Sequence, residues 1–470
     1  MNILLLMADQ LTVNALEVYG NPAAKTPNID RLAARGTVFE NCYCNSPLCV
    51  PSRTSMLTGR IPSSIGSYDN GSEFPASVPT FVHHLRLQGY RTILSGKMHF
   101  VGPDQLHGFE ERLTSDIYPS SFDWTPDWSA EAGENPGTSV SRLKRSGPST
   151  QRISEIAYDD NVQLKAIERF RALKRESDSK PFFICVSFTN PHCPYVVPQA
   201  YWDKYTDENI PLPQAAEDAC VHPYNQGINL HHGIHKHRPT KAEVLNSRRA
   251  YFSMVSYVDE KVGEWVAELE RAKLLDDTII IVTSDHGDML GEHGMWYKRT
   301  FFDAAAKVPM IVVRPSSKSQ RVKQVISLVD LFPTIADLTG FSINSETLDG
   351  SSFAPLLDRN TAGAKDSALC EYCGEGAIAP FFMIRKGAFK YVLVPGFDAL
   401  LFNVETNALE AENLRGTAGY EKLEREFEAQ ILSKWNPESI RRDVVNSQRE
   451  RRMINASLRK GRGLSWDWPM

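Results

Sequence analysis

Apolar residues along most of the chain form short, uninterrupted runs that are separated by longer segments with helical periodicity. Such runs are typical of strands that are buried on both faces of a parallel sheet. They occur at 2–8, 91–94, 181–189, 278–284 and 308–313. Helices are predicted at 80–88, 154–174 and 241–274, and at 26–33 with Asn28 as N-cap. The pattern therefore predicts an α/β protein that is built on a large, mostly parallel sheet.

The pattern changes beyond position 350, where shorter strands with alternating apolar and polar residues are predicted. These strands lie at 381–385, 389–394 and 399–403. Alternation is typical of an antiparallel sheet with one face on the core. We therefore predict two domains, a large one over 1–360 and a smaller α+β domain over 361–470.

The C-terminal segment is rich in basic residues and ends in an apolar stretch. The basic residues are Arg441, Arg442, Arg449, Arg451, Arg452, Arg459, Lys460 and Arg462. A charged run is usually a solvated face. Leu464, Trp466 and Trp468 are apolar enough to dock on another subunit, so we predict a homo-oligomer.

The composition is that of an ordinary globular chain of 470 residues, with 42% hydrophobic and 23% charged residues and a formal net charge of −5. This balance gives no reason to expect a nucleic-acid partner. No apolar run is long enough to span a membrane, and the run at 3–8 is too short for a signal peptide. The eight cysteines have no framework spacing, which is typical of a reducing compartment, so we predict a cytoplasmic protein.

Polar and charged side chains follow four of the predicted strands at the point where each strand ends. They are Asp9 and Gln10, then Lys97 and His99, then His192, and finally Asp285 and His286. Because the carboxyl ends of parallel strands share one edge of a sheet, we expect these side chains to meet in one site. Taken singly, Asp9 and His192 would be interpreted as turn residues.

The segment 46–60 combines a cysteine with a predicted helix start. Cys49 is followed by Pro51, which suits the first turn of a helix, and by Arg53 one turn further on. A helix that begins here would direct Arg53 and its own partial positive charge toward an anion near Cys49. The alternative is a small buried thiol ahead of a proline-capped helix.

The motif C-V-P-S-R at 49–53, followed by L-T-G-R at 57–60, resembles the signature of type I sulfatases. The resemblance extends to T-P-N-I-D-R-L-A at 26–33, G-K-M-H at 96–99, P-H-C-P at 191–194 and D-H-G-D at 285–288. It implies an alkaline-phosphatase-like fold with a large mixed, mostly parallel sheet and a smaller C-terminal domain. It also implies a sulfuric ester hydrolase whose substrate is a small-molecule sulfate ester.

In type I sulfatases the cysteine is oxidised to formylglycine, whose hydrate attacks the sulfur and later expels sulfate as the aldehyde reforms. The resemblance therefore implies a nucleophile derived from Cys49 and a formylglycine-generating maturation enzyme as a partner. The other catalytic residues that it implies are Arg53, Lys97, His99, His192 and Lys298. Of these, His99 would act on the proton of the formylglycine diol, and His192 would be the general acid.

The same resemblance implies one divalent metal ion. Its ligands would be Asp9, Gln10, Asp285, His286 and a formylglycine oxygen from Cys49. A mostly oxygen donor set suits a hard ion, and the imidazole also accommodates manganese. Calcium is preferred by resemblance, with manganese and magnesium as alternatives.

The segments 102–112 and 123–128 resemble choline sulfatases in particular. Trp124 and Trp128 could form an aromatic wall for a quaternary ammonium group, and Glu375 could face a cationic substrate. The alternatives are two packing residues and a solvated turn glutamate. Unlike choline sulfatases, the polar loop at 130–152 contains no pocket histidine.

Three functions therefore remain open. The first is hydrolysis of choline sulfate or a related small organic sulfate. The second keeps the fold and the nucleophile for a carbohydrate sulfate or a phosphonate or phosphate ester; Lys97 and His99 favour sulfate. The third is a binding protein in which Cys49 stays a thiol.

Two further clusters could bind metal but are more simply explained otherwise. The histidines at 231, 232, 235 and 237 have no helical register, and we interpret them as a mobile rim over the pocket. Cys370 and Cys373 have the spacing of a zinc or redox pair, but no second pair accompanies them. We interpret both cysteines as structural.

Overall fold

The computed structural model describes residues 1–130, 138–176, 180–460 and 465–469. The strands are β1 (Asn2–Ala8), β2 (Thr37–Tyr43), β3 (Arg91–Gly96), β4 (Glu111–Arg112), β5 (Gly147–Ser149), β6 (Phe182–Phe188), β7 (Val196–Pro198), β8 (Thr278–Ser284), β9 (Lys307–Val313), β10 (Gln320–Ser327), β11 (Ser367–Tyr372), β12 (Phe381–Lys386), β13 (Phe389–Leu393) and β14 (Leu400–Asn403). The helices are α1 (Pro27–Ala33), α2 (Cys49–Thr58), α3 (Phe81–Leu87), α4 (Ser154–Leu173), α5 (Gln199–Trp202), α6 (Pro223–His231), α7 (Lys241–Arg271), α8 (Asp303–Ala306), α9 (Leu331–Thr339), α10 (Ala354–Leu357), α11 (Glu421–Lys434) and α12 (Pro437–Leu458).

An eight-stranded sheet with the order β10-β2-β9-β8-β1-β6-β3-β4 forms the centre of the molecule. All neighbouring strands are parallel except that β9 runs against both β8 and β2. The central strands are buried on both faces, since every residue of β6 and β8 is buried. The prediction of a large mixed, mostly parallel sheet is therefore confirmed.

Helices cover both faces of this sheet. The long helix α7 presents Tyr251, Met254, Val258 and Trp265 to the core on one face, where they pack with the inner residues of the central strands. The opposite face packs against α2, α3 and α9. At about 25 cal/mol per Å² of apolar surface, burial on both faces makes this sheet the main source of stability.

The start of α1 differs from the prediction. Thr26 is the N-cap and Pro27 is the first helical residue. Asn28 lies inside the helix, where its side-chain amide donates to Asp259 on α7 at 2.7 Å. Proline at the first position fixes the helix start, so Asn28 is available to bind the neighbouring helix.

The second sheet is antiparallel, with the order β11-β12-β13-β14. One face packs on α11 through Phe427, Ile431 and Trp435. The other face contributes Phe381 and Phe402 to the core of the large sheet. The predicted antiparallel C-terminal sheet is confirmed, while the boundary at residue 360 stays a prediction.

The C-terminal segment is described up to Lys460 and again from 465 to 469. Arg462 and Leu464, which belong to the predicted basic and apolar tail, lie outside the described residues, as do residues 131–137 of the predicted surface loop. None of the helices in the described ranges is long and apolar enough to cross a membrane.

Candidate functional site

Three parallel strands of the large sheet end at one edge and deliver charged side chains there. Asp9 follows β1, Lys97 follows β3, and Asp285 and His286 follow β8. The helix α2 begins at Cys49, two residues earlier than its proline suggests, and its first turn lies against this edge. The structure brings these strand ends together beside Cys49, while the catalytic and metal-binding roles of their residues stay predictions.

Three side-chain nitrogen atoms surround the Cys49 sulfur. Its Sγ lies 3.3 Å from His286 Nε2, 3.4 Å from Lys298 Nζ and 3.6 Å from Lys97 Nζ. Burial alone would raise the pKa of the Cys49 thiol, but the charges of Lys298 and Lys97 hold it well below its usual range. The electrostatic potential at this atom therefore favours an anion.

Arg53 joins the two carboxylates behind Cys49. Its Nε donates to Asp285 Oδ2 at 2.8 Å, and its Nη2 donates to Asp9 Oδ2 at 3.0 Å. Lys97 also contacts the same oxygen of Asp9. These four side chains are fully buried. Burial and Cys49 would raise the pKa of Asp9, but Lys97 and the neighbouring cations lower it further than burial raises it.

His192 and His99 both lie against Tyr118. The Tyr118 hydroxyl is 3.1 Å from His192 Nδ1, and the His99 ring is 5.1 Å from the Tyr118 ring. Although burial lowers the pKa of His192, Cys193 and Asp9 raise it to about 9. Both ring nitrogens of His99 are buried without a hydrogen-bond partner among the described residues.

The sulfatase family model matches residues 1–341, and a model described as the C-terminal part of N-sulphoglucosamine sulphohydrolase matches residues 291–436. The chain belongs to the sulfatase family. It is therefore a sulfuric ester hydrolase, and its large sheet is that of an alkaline-phosphatase-like fold.

Individual sulfatases and related hydrolases agree with this assignment. The chain is 39% identical to a choline-sulfatase of Rhizobium meliloti (strain 1021), over 99% of this chain and 93% of that protein. A solved structure of BT4656 in complex with D-glucosamine-2-N,6-O-disulfate superposes with a TM-score of 0.73 at 23% identity, over 94% of this chain and 98% of that chain. The phosphonate monoester hydrolase of Agrobacterium radiobacter has a TM-score of 0.72 at 24% identity, over 92% and 95%.

Membership of the sulfatase family implies a divalent metal ion and formylglycine. Asp9, Cys49, Asp285 and His286 each offer a ligand atom within 4.8 Å of one another, and all four are buried. Asp9 Oδ1 has no hydrogen-bond partner among the described residues. His286 Nδ1 lies 3.0 Å from Gly287 O, a contact that favours a proton on Nδ1 and leaves Nε2 as an acceptor. The residues of this sulfatase therefore fit a divalent metal ion.

Gln10, the fifth predicted ligand, lies at the same edge but is engaged elsewhere. Its Oε1 accepts a hydrogen bond from Lys298 Nζ at 2.7 Å, and its amide nitrogen donates to Asp288. Asp288 in turn accepts from Tyr195 at 2.6 Å. Ligation by Gln10 stays a prediction, and it would use the second lone pair of an oxygen that already accepts from Lys298.

A cavity of about 870 Å³ opens above Cys49 in this sulfatase. Trp124, Trp128 and Glu375 line it together with Lys298 and His192. The Trp128 indole donates to Gly374 O at 3.0 Å, which fixes its ring, whereas Trp124 is 40% exposed. The three predicted substrate-binding residues, Trp124, Trp128 and Glu375, thus line the same cavity as Cys49.

Arg299 is a pocket residue that the sequence analysis missed. It follows Lys298 directly, at a backbone φ of 81°, and its guanidinium contacts Glu375. On its other side, Arg299 Nη1 lies 3.3 Å from His232 Nε2. The only sequence signal was its position next to the predicted sulfate ligand Lys298.

The interpretation of the histidines at 231–237 as a mobile rim is wrong for His231 and His232, which are buried, and it stays an interpretation for His235 and His237. His231 ends α6 and lines the cavity, and His232 is fully buried. Within the described residues, the group with metal-binding geometry is the one at Asp9, not this cluster. Cys370 and Cys373 are both buried in and after β11, in agreement with the structural interpretation.

Proposed function

We propose that this sulfatase hydrolyses the sulfate monoester of a small organic alcohol, with a formylglycine derived from Cys49 as nucleophile. The observation that carries the proposal is the contact of Cys49 Sγ with Lys298, Lys97 and His286 at 3.3–3.6 Å. The two ammonium donors Lys97 and Lys298, together with the positive start of α2, are suited to a tetrahedral anion, while His286 Nε2 stays available as a metal ligand.

The position of each side chain in the site determines its role in the reaction. Lys97 and Lys298 neutralise the sulfate oxygens as point charges. Arg53 holds the two carboxylates in place and adds positive potential behind the nucleophile. His192, which lines the same cavity as Cys49, donates a proton to the leaving alcohol, and His99 acts on the proton of the formylglycine diol.

Asp9, Asp285, His286 and the modified Cys49, together with Gln10, would hold one divalent metal ion. The ion supplies Lewis-acid stabilisation of the negative charge that develops on the nucleophile and the sulfate. Calcium is our first choice because most of the donors are oxygens, and manganese or magnesium are the alternatives.

The leaving alcohol lies against the pocket wall that Trp124, Trp128 and Glu375 form. The extent of similarity to the choline-sulfatase supports choline sulfate as the first ester to test. A quaternary ammonium group would lie against the indole rings. The carboxylate of Glu375 would be a further attraction, but Arg299 already contacts it.

A phosphonate or phosphate ester and a carbohydrate sulfate are the alternatives. The likeness to the phosphonate monoester hydrolase concerns the fold. Lys97 and His99 favour a sulfate ester over a phosphonate ester. The remaining possibility, a binding protein with an unmodified Cys49, is disfavoured because Arg53, Lys97 and both metal carboxylates are all present.

The decisive experiment combines mass spectrometry with an assay. The protein is prepared from its own host, and the mass of the peptide that contains Cys49 is compared with that of the unmodified sequence. We expect an aldehyde in place of the thiol, together with release of inorganic sulfate from choline sulfate. The variant Cys49→Ala serves as the control and should release no sulfate. An unmodified thiol in a protein that releases no sulfate would overturn the proposal.

We also propose that the protein is cytoplasmic and forms a homo-oligomer through its C-terminal apolar segment, in which Trp466 packs on Phe122 of the same chain and Trp468 is half-buried. Cell fractionation tests the first statement, and light scattering of the variant Trp468→Ser tests the second. A monomeric wild-type protein would exclude the oligomer.

A further inference from the structure

The C-terminal helix α12 holds the loop that carries the two pocket tryptophans. Its residues at 448, 451, 452, 455 and 459 follow helical spacing and lie on one face. The Gln448 side-chain oxygen accepts from Trp128 N at 2.8 Å, and Asn455 Nδ2 donates to Asp123 at 2.9 Å. Arg452 pairs with Asp127 and Arg459 pairs with Asp123. This face is polar, so it acts through directed hydrogen bonds.

Arg451 is the buried member of this face. Its Nη1 and Nη2 donate to the two carboxylate oxygens of Asp69 at 2.7 and 2.8 Å. Nη1 also donates to Thr125 Oγ1 at 3.0 Å. Arg451 is 5% exposed and Asp69 is fully buried. A bidentate pair in a buried environment fixes both partners in one geometry.

The two segments that Arg451 joins both line the cavity above Cys49. Thr125 lies next to Trp124 in the pocket wall. Asp69 precedes Asn70, whose Oδ1 accepts from Val50 N at 3.1 Å in the first turn of α2. The two segments also touch directly, since a Cβ at Gly71 would lie 2.5 Å from Thr125 N. A shift of Arg451 would therefore move the tryptophan wall relative to the nucleophile.

We infer that Arg451 is a positioning residue that sets the distance between the tryptophan wall and the Cys49 site, and so determines which leaving alcohols fit. The inference rests on the proposed function. Arg451 contacts neither the sulfate residues nor the metal residues in the described structure. Its effect should therefore fall on recognition of the alcohol and not on recognition of sulfate.

Two variants and one control test the inference. Arg451→Lys keeps the charge but loses the bidentate geometry. The paired replacement Asp69→Asn with Arg451→Met removes both charges, so that no buried charge is left without a partner. The control is Arg449→Met, which changes an exposed arginine on the same helix.

The main measurements are kcat and KM for choline sulfate and 4-nitrophenyl sulfate, and the inhibition constant of inorganic sulfate. In Arg451→Lys we expect KM for both esters to rise about tenfold, the effect of losing one charge-assisted hydrogen bond. We expect kcat to change by less than about twofold, which corresponds to a small free-energy difference. The inhibition constant of inorganic sulfate should stay the same. A purely structural role would lower the melting temperature and the active fraction without raising KM.

Hydrogen exchange of the segment 120–130 gives a readout that does not depend on turnover. We expect faster exchange there in Arg451→Lys and in the paired variant, and wild-type exchange in Arg449→Met. Unchanged KM and unchanged exchange in both variants would overturn the inference, as would a parallel rise in KM and in the inhibition constant of sulfate. If the wild-type protein hydrolyses no sulfate ester, the proposed function fails, and the exchange experiment still tests the positioning by Arg451.

Discussion

Arg299 Nη2 lies 2.7 Å from Glu375 Oε1 in the wall of the pocket. Burial would raise the pKa of Glu375, but Arg299 lowers it further, so the carboxylate is ionised. The second oxygen of Glu375 has no hydrogen-bond partner among the described residues. The pocket therefore contains a carboxylate that is already neutralised by a cation of the protein itself.

Replacing Arg299 should strengthen the binding of a cationic leaving group. In Arg299→Met, the ammonium group of choline sulfate becomes the nearest counter-charge of Glu375, and we expect its KM to fall about tenfold relative to that of 4-nitrophenyl sulfate. The ratio of kcat/KM for the two esters measures the effect. Adding Glu375→Gln to the same variant should cancel the gain. An unchanged ratio in Arg299→Met would show that Glu375 does not face the alcohol.

Arg53→Lys should impair chemistry more than folding. A lysine cannot donate to Asp9 and Asp285 at the same time, so one carboxylate loses its partner and the positive charge behind the nucleophile shifts from its wild-type position. We expect kcat for a sulfate ester to fall about 100-fold to 1,000-fold, the range for losing one preorganised donor. The matched control is Arg60→Lys, which lies two residues beyond the end of α2 and should keep wild-type kcat.

Removal of the metal should lower thermal stability, and calcium should restore it. Asp9 and Asp285 are buried carboxylates whose mutual repulsion a cation would relieve. At 100 times the dissociation constant, binding stabilises the folded state by about 2.7 kcal/mol. Calorimetry after dialysis against a chelator, followed by addition of calcium, manganese or magnesium, measures the response. Asp285→Asn should respond weakly, and an equal response in that variant would place the ion elsewhere.

Glu371 should make stability fall as the pH rises through neutrality. Burial raises the pKa of Glu371 from 4.5 to about 7, although Ser63 N donates to its carboxylate. A raised pKa in the folded state means that the stabilisation is complete below about pH 4.5 and is lost as the pH passes 7. The effect is at most about 3 kcal/mol.

Urea unfolding at pH 5 and pH 8 measures this dependence. Glu371→Gln should flatten it, because the amide mimics the protonated acid at both values. The control Glu412→Gln changes an exposed residue and should keep the wild-type slope. A steep pH dependence that survives in Glu371→Gln would assign it to another group.

The sequence was most informative where one rule determined both the element and its neighbours. The run at 278–284 contains no charged residue and is uninterrupted from Ile279 to Val282, and it forms β8 with the same bounds. Since parallel strands end at one edge, Asp9, Lys97 and Asp285 could be brought together without any coordinates. The strand β2 was missed because Glu40 and Asn41 interrupt its apolar run.

Contacts between distant loops could not be predicted in the same way. Arg299 and Glu375 are 76 residues apart, and Arg451 and Asp69 are 382 apart. Each pair includes at least one residue of an irregular segment, Asp69 in one pair and both Arg299 and Glu375 in the other, and the path of such a segment depends on the packed sheet below it. A basic run such as that of α12 predicts a solvated face, and only the folded chain distinguishes buried Arg451 from exposed Arg449.

The burial of Cys49 also limits when the proposed oxidation of its side chain can take place. The side chain is 1% exposed in the folded protein, so an enzyme could not reach it there. His286, which covers it, follows 237 residues later in the chain. At about 5–20 residues per second, the ribosome needs about 10–50 s to add those residues. The proposed oxidation of Cys49 therefore has to precede folding of the chain around it, and this interval, in which the first strands have emerged and β8 has not yet been synthesised, is its earliest opportunity.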